Sequence, residues 1–426
     1  MSVPFLRTFL SLSLSSALGL FAAFTPLAAQ EWTRFRGPNG TGQSEATTIP
    51  TQWTEKDYNW KVELPGIGHG SPVIWEDKLF VASADPSNGT RMLFAVKTED
   101  GQVIWRKDYP ATVHAKHALN SFSSGTPACD ANHVYFAWAT PDEYNLLALD
   151  HRGEEVWRIG LGKFIARHGF GASPIVYEDL VIITNDQEGE SFLVAVDRKS
   201  GDTRWRIPRK SLSPQSASYS TPMIYTPPGG EDELIVNSWA HGVTSHNPRT
   251  GEVNWEAPVF KLRTVGSPVL AGGLIWGSCG EGAGNNSVVA IEPGDKNGGK
   301  PSVKFSVGPK SLWPYVPTII AAGDLVFLWG DTGIVTCVNA RTRQEQWRER
   351  IGGTHYASPI RIGDRIFGIS KQGEVVVLAA SPEFKELARI QLGDETHATP
   401  AIADGKLFLR TQTKLMSIGG KNTPSN

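Results

Sequence analysis

Eight times along this chain a short β-rich run opens on a small or β-branched residue followed by proline. The openings are Ser71-Pro72, Thr126-Pro127, Ser173-Pro174, Thr221-Pro222, Ser267-Pro268, Val316-Pro317, Ser358-Pro359 and Thr399-Pro400, at steps of 41 to 55 residues. The clearest copy is 173–205. It reads Ser-Pro-Ile-Val-Tyr, then Leu-Val-Ile-Ile-Thr after Glu178 and Asp179, then Phe-Leu-Val-Ala-Val, and closes on Asp197, Gly201 and Trp205. Four apolar, β-branched runs separated by polar or glycine-containing turns are the pattern of an antiparallel four-stranded unit, not of helices. One such unit cannot bury its own faces, so the copies must stack, and this repeat length is that of a propeller blade. Eight openings predict eight blades.

The far end of each unit repeats as well, as a small residue, a polar residue two later, a turn and an aromatic. The copies are Ala95, Lys97, Gly101, Trp105; Ala148, Asp150, Gly153, Trp157; Ala195, Asp197, Gly201, Trp205; Ser245, Asn247, Gly251, Trp255; and Cys337, Asn339, Arg343, Trp347. Asp or Asn at the start of a turn accepts backbone N–H bonds, and glycine supplies the positive φ that the turn then requires. The small residue is expected to leave room for an aromatic from a neighbouring blade. The fifth copy has Phe305 in place of tryptophan, the seventh has none, and the eighth, 399–419, stops after three strands. The stretch 59–66 reads like 156–162 and is expected to supply the missing outer strand, closing the ring by pairing the two ends of the chain.

These residues carry a resemblance. The Ala-x-Asp-x-x-x-Gly-x-x-x-Trp pattern resembles the tryptophan-docking motif of the eight-bladed propellers of the pyrroloquinoline quinone (PQQ) type, which include quinoprotein alcohol dehydrogenases and the BamB outer-membrane assembly proteins. The N-terminal Trp32-Thr-Arg-Phe-Arg-Gly-Pro-Asn-Gly-Thr-Gly42 and the tail 358–418 are similar to exported bacterial PQQ-binding-like β-propeller repeat proteins. The resemblance implies the fold over nearly the whole mature chain and specifies activity poorly. For the dehydrogenases it would imply PQQ over the central channel, a calcium ion held by carboxylate and amide oxygens, a catalytic aspartate, a tryptophan platform and, usually, two adjacent cysteines. No two cysteines are adjacent here, and no calcium ligand or catalytic aspartate can be matched residue by residue.

Arg7, the apolar run 9–24 and the small residues Ala28 and Ala29 describe a cleavable export signal over 1–29. The product is expected in the periplasm or outside the cell. No later run reaches the roughly 18 apolar residues of a membrane helix, and no cysteine near the cleavage point offers a lipid anchor. The formal charge is −2, and loss of Arg7 makes it one unit more negative, which excludes the basic balance of a nucleic-acid binder. Cys129, Cys279 and Cys337 lie in apolar strand-like runs and are read as buried free thiols rather than as one disulfide with a spare. The expected organisation is a signal at 1–29, an N-terminal segment at 30–55 packing on the propeller and plugging one end of its channel, one eight-bladed propeller at 56–420, and a disordered tail at 421–426.

The repeated tryptophans have a structural use, so candidate functional residues are those outside the repeat. His69 and His397 stand two residues before Ser71 and Thr399, and His355 three before Ser358. These belong to blades one, eight and seven, neighbours in a closed ring, and three imidazoles at one channel mouth would suit zinc, copper, nickel or iron. Loops feeding the same mouth would add Tyr356, Tyr219, Arg263, His168 and Trp313, with His114, His117, Asn120, Arg167 and Tyr315. A concave rim of this composition suits a small molecule, glycan or peptide. The glycine-rich 277–284 has no helix after it and is read as a hairpin connection rather than a phosphate loop. The resulting expectation is an exported, non-catalytic propeller that binds a protein, peptide or glycan partner by one rim. The alternative is an oxidoreductase using PQQ with calcium, or a transition metal, at the channel mouth.

Overall fold

The computed structural model describes Met1 and residues 31–210, 217–282, 284–295 and 298–420; the expected export signal and the tail from 421 lie outside the described residues. Eight antiparallel sheets follow one another around a ring, and the described helical content is one 3-10 turn, Pro38–Gly40. The third blade shows the unit: Ile175–Tyr177, Leu180–Asn185, Ser191–Asp197 and Thr203–Arg209, each paired to the next. The two middle strands of this blade are buried, whereas its outermost strand mixes buried and exposed positions, because it meets solvent on its outer side. The eighth blade has three strands from the C-terminal end, Ala401–Ala403, Lys406–Arg410 and Lys414–Gly419, and its outer strand is Tyr58–Glu63, paired to the last of these. The ring is therefore closed by backbone hydrogen bonds between the two ends of the chain.

The repeated turn residues act as expected in one respect and differently in another. Asp197 Oδ1 accepts the N–H groups of Lys199 and Ser200 at 2.8 and 3.0 Å, and Gly201 follows at φ 79°. Against that glycine lies the indole of Trp157 from the preceding blade, whose Nε1 donates to Arg198 O at 3.0 Å. Trp60 on Thr98, Trp105 on His151, Trp205 on Pro248 and Trp347 on Ser381 make the same bond. The glycine, not the small residue, leaves room for the neighbouring blade's aromatic. The small residue instead faces its own tryptophan across the hairpin, as Ala195 faces Trp205 and Cys337 faces Trp347. Trp255 departs from the rule and donates to Glu233 Oε2 at 3.0 Å, since the fifth blade lacks the regular turn.

A second belt runs around the channel. Ser71 N donates to Thr126 Oγ1, Thr126 N to Ser173 Oγ, Thr221 N to Ser267 Oγ, Ser267 N to Thr318 Oγ1, Thr318 N to Ser358 Oγ and Ser358 N to Thr399 Oγ1, at 2.9 to 3.2 Å. The hydroxyl before the inner strand thus ties blades two, three, five, six, seven and eight each to the one before it. This corrects the sixth opening, which is Thr318-Ile319 and not Val316-Pro317: Thr318 carries the hydroxyl and stands two residues before its strand Ile320–Ala322, as Ser71 does before Val73–Trp75. All three cysteines are free and buried.

The N-terminal segment crosses one end of the channel. Trp32 bridges Ile74 in blade one and is fully buried, and Thr33 O accepts Cys129 N from blade two at 2.8 Å. Arg34 donates to Pro222 O and Asn39 to Ile224 O in blade four. Arg36 reaches Ile319 O and Pro359 O of blades six and seven at 3.1 and 2.7 Å. Gln43–Ser44 then adds a parallel strand to the inner edge of blade seven, beside Arg361 and Ile362. The segment staples opposite sides of the ring through backbone carbonyls that would otherwise face the channel.

Candidate functional site

Because the segment lies across one end, the channel is a blind cup of about 540 Å³. Its floor is the ring of Phe35, between the buried Arg34 and Arg36. Its wall is built by register. The hydroxyls at the head of most inner strands form a lower ring, and an extended chain returns its side chain to the same face every second residue. The eight positions two residues before those hydroxyls accordingly all line the cup. In blades eight, one, four and seven these are His397, His69, Tyr219 and Tyr356; in blades two, three, five and six they are Ser124, Gly171, Val265 and Val316.

The His69 and His397 rings lie 4.1 Å apart between centroids, and Tyr356 lies 4.9 Å from His397. Burial lowers His69 to about 2 and His397 to about 4, the first pushed further by His397 and Arg410. Both are neutral at pH 7. His355 does not join them. Three residues before Ser358 it falls on the opposite side of the chain, fully buried, edge-on to Trp329, with Nδ1 and Nε2 at 3.1 and 2.9 Å from the carbonyl oxygens of Ile369 and Gly352. Tyr356, one residue later, takes the place in the cup. Among the described residues no group of three or more His, Cys, Asp or Glu side chains is placed to hold a metal ion.

The loops contribute as follows. Asn120 donates from Nδ2 to His168 O and Phe170 O at 2.6 and 3.2 Å, pinning the 110–124 insertion to the loop before blade three. His117 then stacks on His168, centroids 5.0 Å apart, and both line the cup. Burial, aided by Arg263, lowers His168 to about 4. Arg263 donates to Tyr315 Oη at 3.1 Å, and both face the cup. Trp313 does not: it packs in the core between blades five and six, its carbonyl accepting from Asn286, with the Arg348 guanidinium 5.1 Å from its ring centre. His114 and Arg167 also stay off the cup wall.

Sequence reasoning missed Asp331, Glu281 and Asn286, and placed Phe35 only in the plugging segment, not as the floor of a site. Asp331 accepts Tyr315 N and Val316 N at 2.7 and 3.1 Å, and burial raises its carboxyl to about 6. Glu281 and Gly284 come from the glycine-rich stretch, which is indeed a hairpin connection between Leu274–Cys279 and Ser287–Glu292. The two-residue offset would have found the upper ring, and no local pattern marks the others.

The group implied by the resemblance to quinoprotein enzymes can be tested against this lining. The cup wall carries no tryptophan and no cysteine, its floor aromatic is Phe35, and both Asp331 oxygens are engaged by backbone N–H groups. The residues present do not fit PQQ as a tryptophan platform and adjacent cysteines hold it.

Three solved structures share the fold. The chain superposes on a europium-containing methanol dehydrogenase with a TM-score of 0.70 at 10% identity, covering 92% of this chain and 98% of that one. For BamB of Moraxella catarrhalis the values are 0.59 and 14%, covering 90% and 100%. For the quinohemoprotein alcohol dehydrogenase ADHIIG of Pseudomonas putida HK5 they are 0.63 and 13%, covering 92% and 81%. In sequence, the outer membrane protein assembly factor BamB of Burkholderia pseudomallei (strain K96243) is 30% identical over 106 residues, a stretch of 25% of this chain and 27% of that protein. The family described as outer membrane protein assembly factor BamB matches residues 51–136 and 114–348, more than half of the molecule, and the chain therefore belongs to that family of propellers.

Proposed function

We propose that the protein is an exported, non-catalytic β-propeller scaffold that captures a protein, peptide or glycan partner at the mouth of its cup. The blind cup carries this reading: the repeated residues tie blades together, while the unrepeated His69, His397, Tyr219, Tyr356, Arg263 and His168 gather on one concave surface. Relatives named as assembly factors are in keeping with binding rather than turnover. The test is copurification from the cell envelope with the wild type and with Tyr356→Ala. Loss of the captured partner in the variant, at unchanged melting temperature, supports the reading, and equal capture by both overturns it.

The second reading is an oxidoreductase with its site at the channel mouth. It is favoured by Asp331, a buried carboxyl at the cup held at about 6, in the range of a general base near neutral pH. Addition of PQQ with calcium decides between them: a bound-quinone absorption band with dye-linked alcohol oxidation would replace the scaffold reading by this one.

A further inference from the structure

We infer that the cup is built for an acidic sugar unit, one bearing a carboxylate or sulfate, and not for a neutral or cationic ligand. The inference rests on the cup being the binding site proposed above. Its first support is the hydroxyl ring. Thr126, Ser173, Thr318, Ser358 and Thr399 line the cup, and each uses its oxygen to accept a backbone N–H from the preceding blade. A hydroxyl has one proton to donate, and among the described residues none of these five donates it elsewhere. Accepting an N–H also polarises the O–H. The ring therefore offers donors, which an acceptor-rich group satisfies.

The second support is the charge beneath and around that ring. Arg34 and Arg36 flank the floor, Arg410 lies behind His69, and Arg263 stands in the wall. Among the described residues Arg34, Arg36 and Arg410 hold only backbone carbonyl oxygens and no carboxylate. Two carboxylates, Glu281 and Asp331, line the cup with Arg263, while Arg34, Arg36 and Arg410 are buried behind its floor and wall. In a concave, partly desolvated site such an excess focuses a positive potential that a cation would meet as repulsion. The rings of Phe35 and Tyr356 supply flat apolar surface for the C–H face of a sugar, whose charged substituent then meets Arg263. Neither feature depends on a metal or cofactor.

The experiment is calorimetric titration of the mature protein with a galacturonate trimer, a sulfated galactose trimer and the neutral galactose trimer, each at low and at high salt. The expected result is that at least one acidic trimer binds ten-fold or more tightly than the neutral one, and that salt weakens it; which acidic trimer binds separates carboxylate from sulfate. Arg263→Gln should weaken that binding at least ten-fold. Glu281→Gln, which removes an opposing charge from the rim, should strengthen it, so the inference stays testable should the first variant fold poorly. Equal binding of all three trimers, or no response to either substitution, overturns the anion preference and leaves the cup as the site. Binding of none overturns the inference outright, and capture by the wild type against Tyr356→Ala then decides whether the cup reading stands.

Discussion

At the outer girdle, Trp157 lies on Gly201 of the next blade and donates to Arg198 O; at the cup, His69 lies 4.1 Å from His397 across the closing boundary of the ring. Both are contacts between aromatic rings and a neighbouring blade, yet they answer to different constraints. The girdle contact recurs with the same partner atoms in blade after blade, because every junction poses the same packing problem. The cup contact occurs once, and its two rings are held neutral by burial beside Arg410, Lys116 and Lys371. Repetition therefore separates what holds the ring together from what the ring presents.

Substitutions at the two regions should separate the same way, and the largest effect belongs to the segment that spans both. Trp32→Ala removes a fully buried indole at the anchor of the plug and should cost about 3 to 5 kcal/mol, read as a lower urea midpoint. An unchanged midpoint would show that the plug is an ornament on the ring. At the girdle, Gly201→Ala places a methyl 2.8 Å from the Trp157 ring at a positive φ and should cost about 1 to 3 kcal/mol, lowering the melting temperature. If it is neutral, the glycine is not what seats the tryptophan.

The cup should declare itself through pH. Folding lowers the affinity of His69, His168 and His397 for a proton, so below about pH 6.5 the unfolded chain binds more protons than the folded one. Stability therefore falls as pH drops from 6.5 towards 4, and His69→Gln with His397→Gln should flatten that fall in denaturant titrations at pH 7.5 and 5. Asp331 has the opposite sign: its raised carboxyl makes stability decline as pH rises from about 4 to 6, and Asp331→Asn should remove that decline. The smallest expected effect is Tyr356→Ala, a partly exposed rim side chain, which should change stability by less than about 1 kcal/mol while abolishing partner capture. A large stability loss there would place Tyr356 with the girdle.

Much of this was legible in the residues because the repeat is local chemistry. Asp197 caps a turn, Gly201 takes a positive φ, and 59–66 copies 156–162, each within a few positions of its cause. The cup was legible by halves. His69 and His397 share the offset of two from the hydroxyl, whereas His355 at an offset of three faces the core, the same alternation that exchanges faces whenever an extended chain slips by one residue. Trp313 looked like a rim aromatic because nothing in its neighbours marks which side of a loop is covered.

By itself the amino-acid sequence determined the number of blades, the closure of the ring by its two ends and the turn roles of Asp197 and Gly201, since each follows from hydrogen bonds at fixed spacing; that the glycine and not the small residue seats the neighbouring tryptophan came only from the packing of blade on blade. Tertiary structure alone decided that Phe35 is the floor of the plugged channel and that Asp331 and Glu281 share a cup with Arg263. Those residues come from positions 18 to nearly 300 apart, and only the closing of the ring brings them within reach of one ligand.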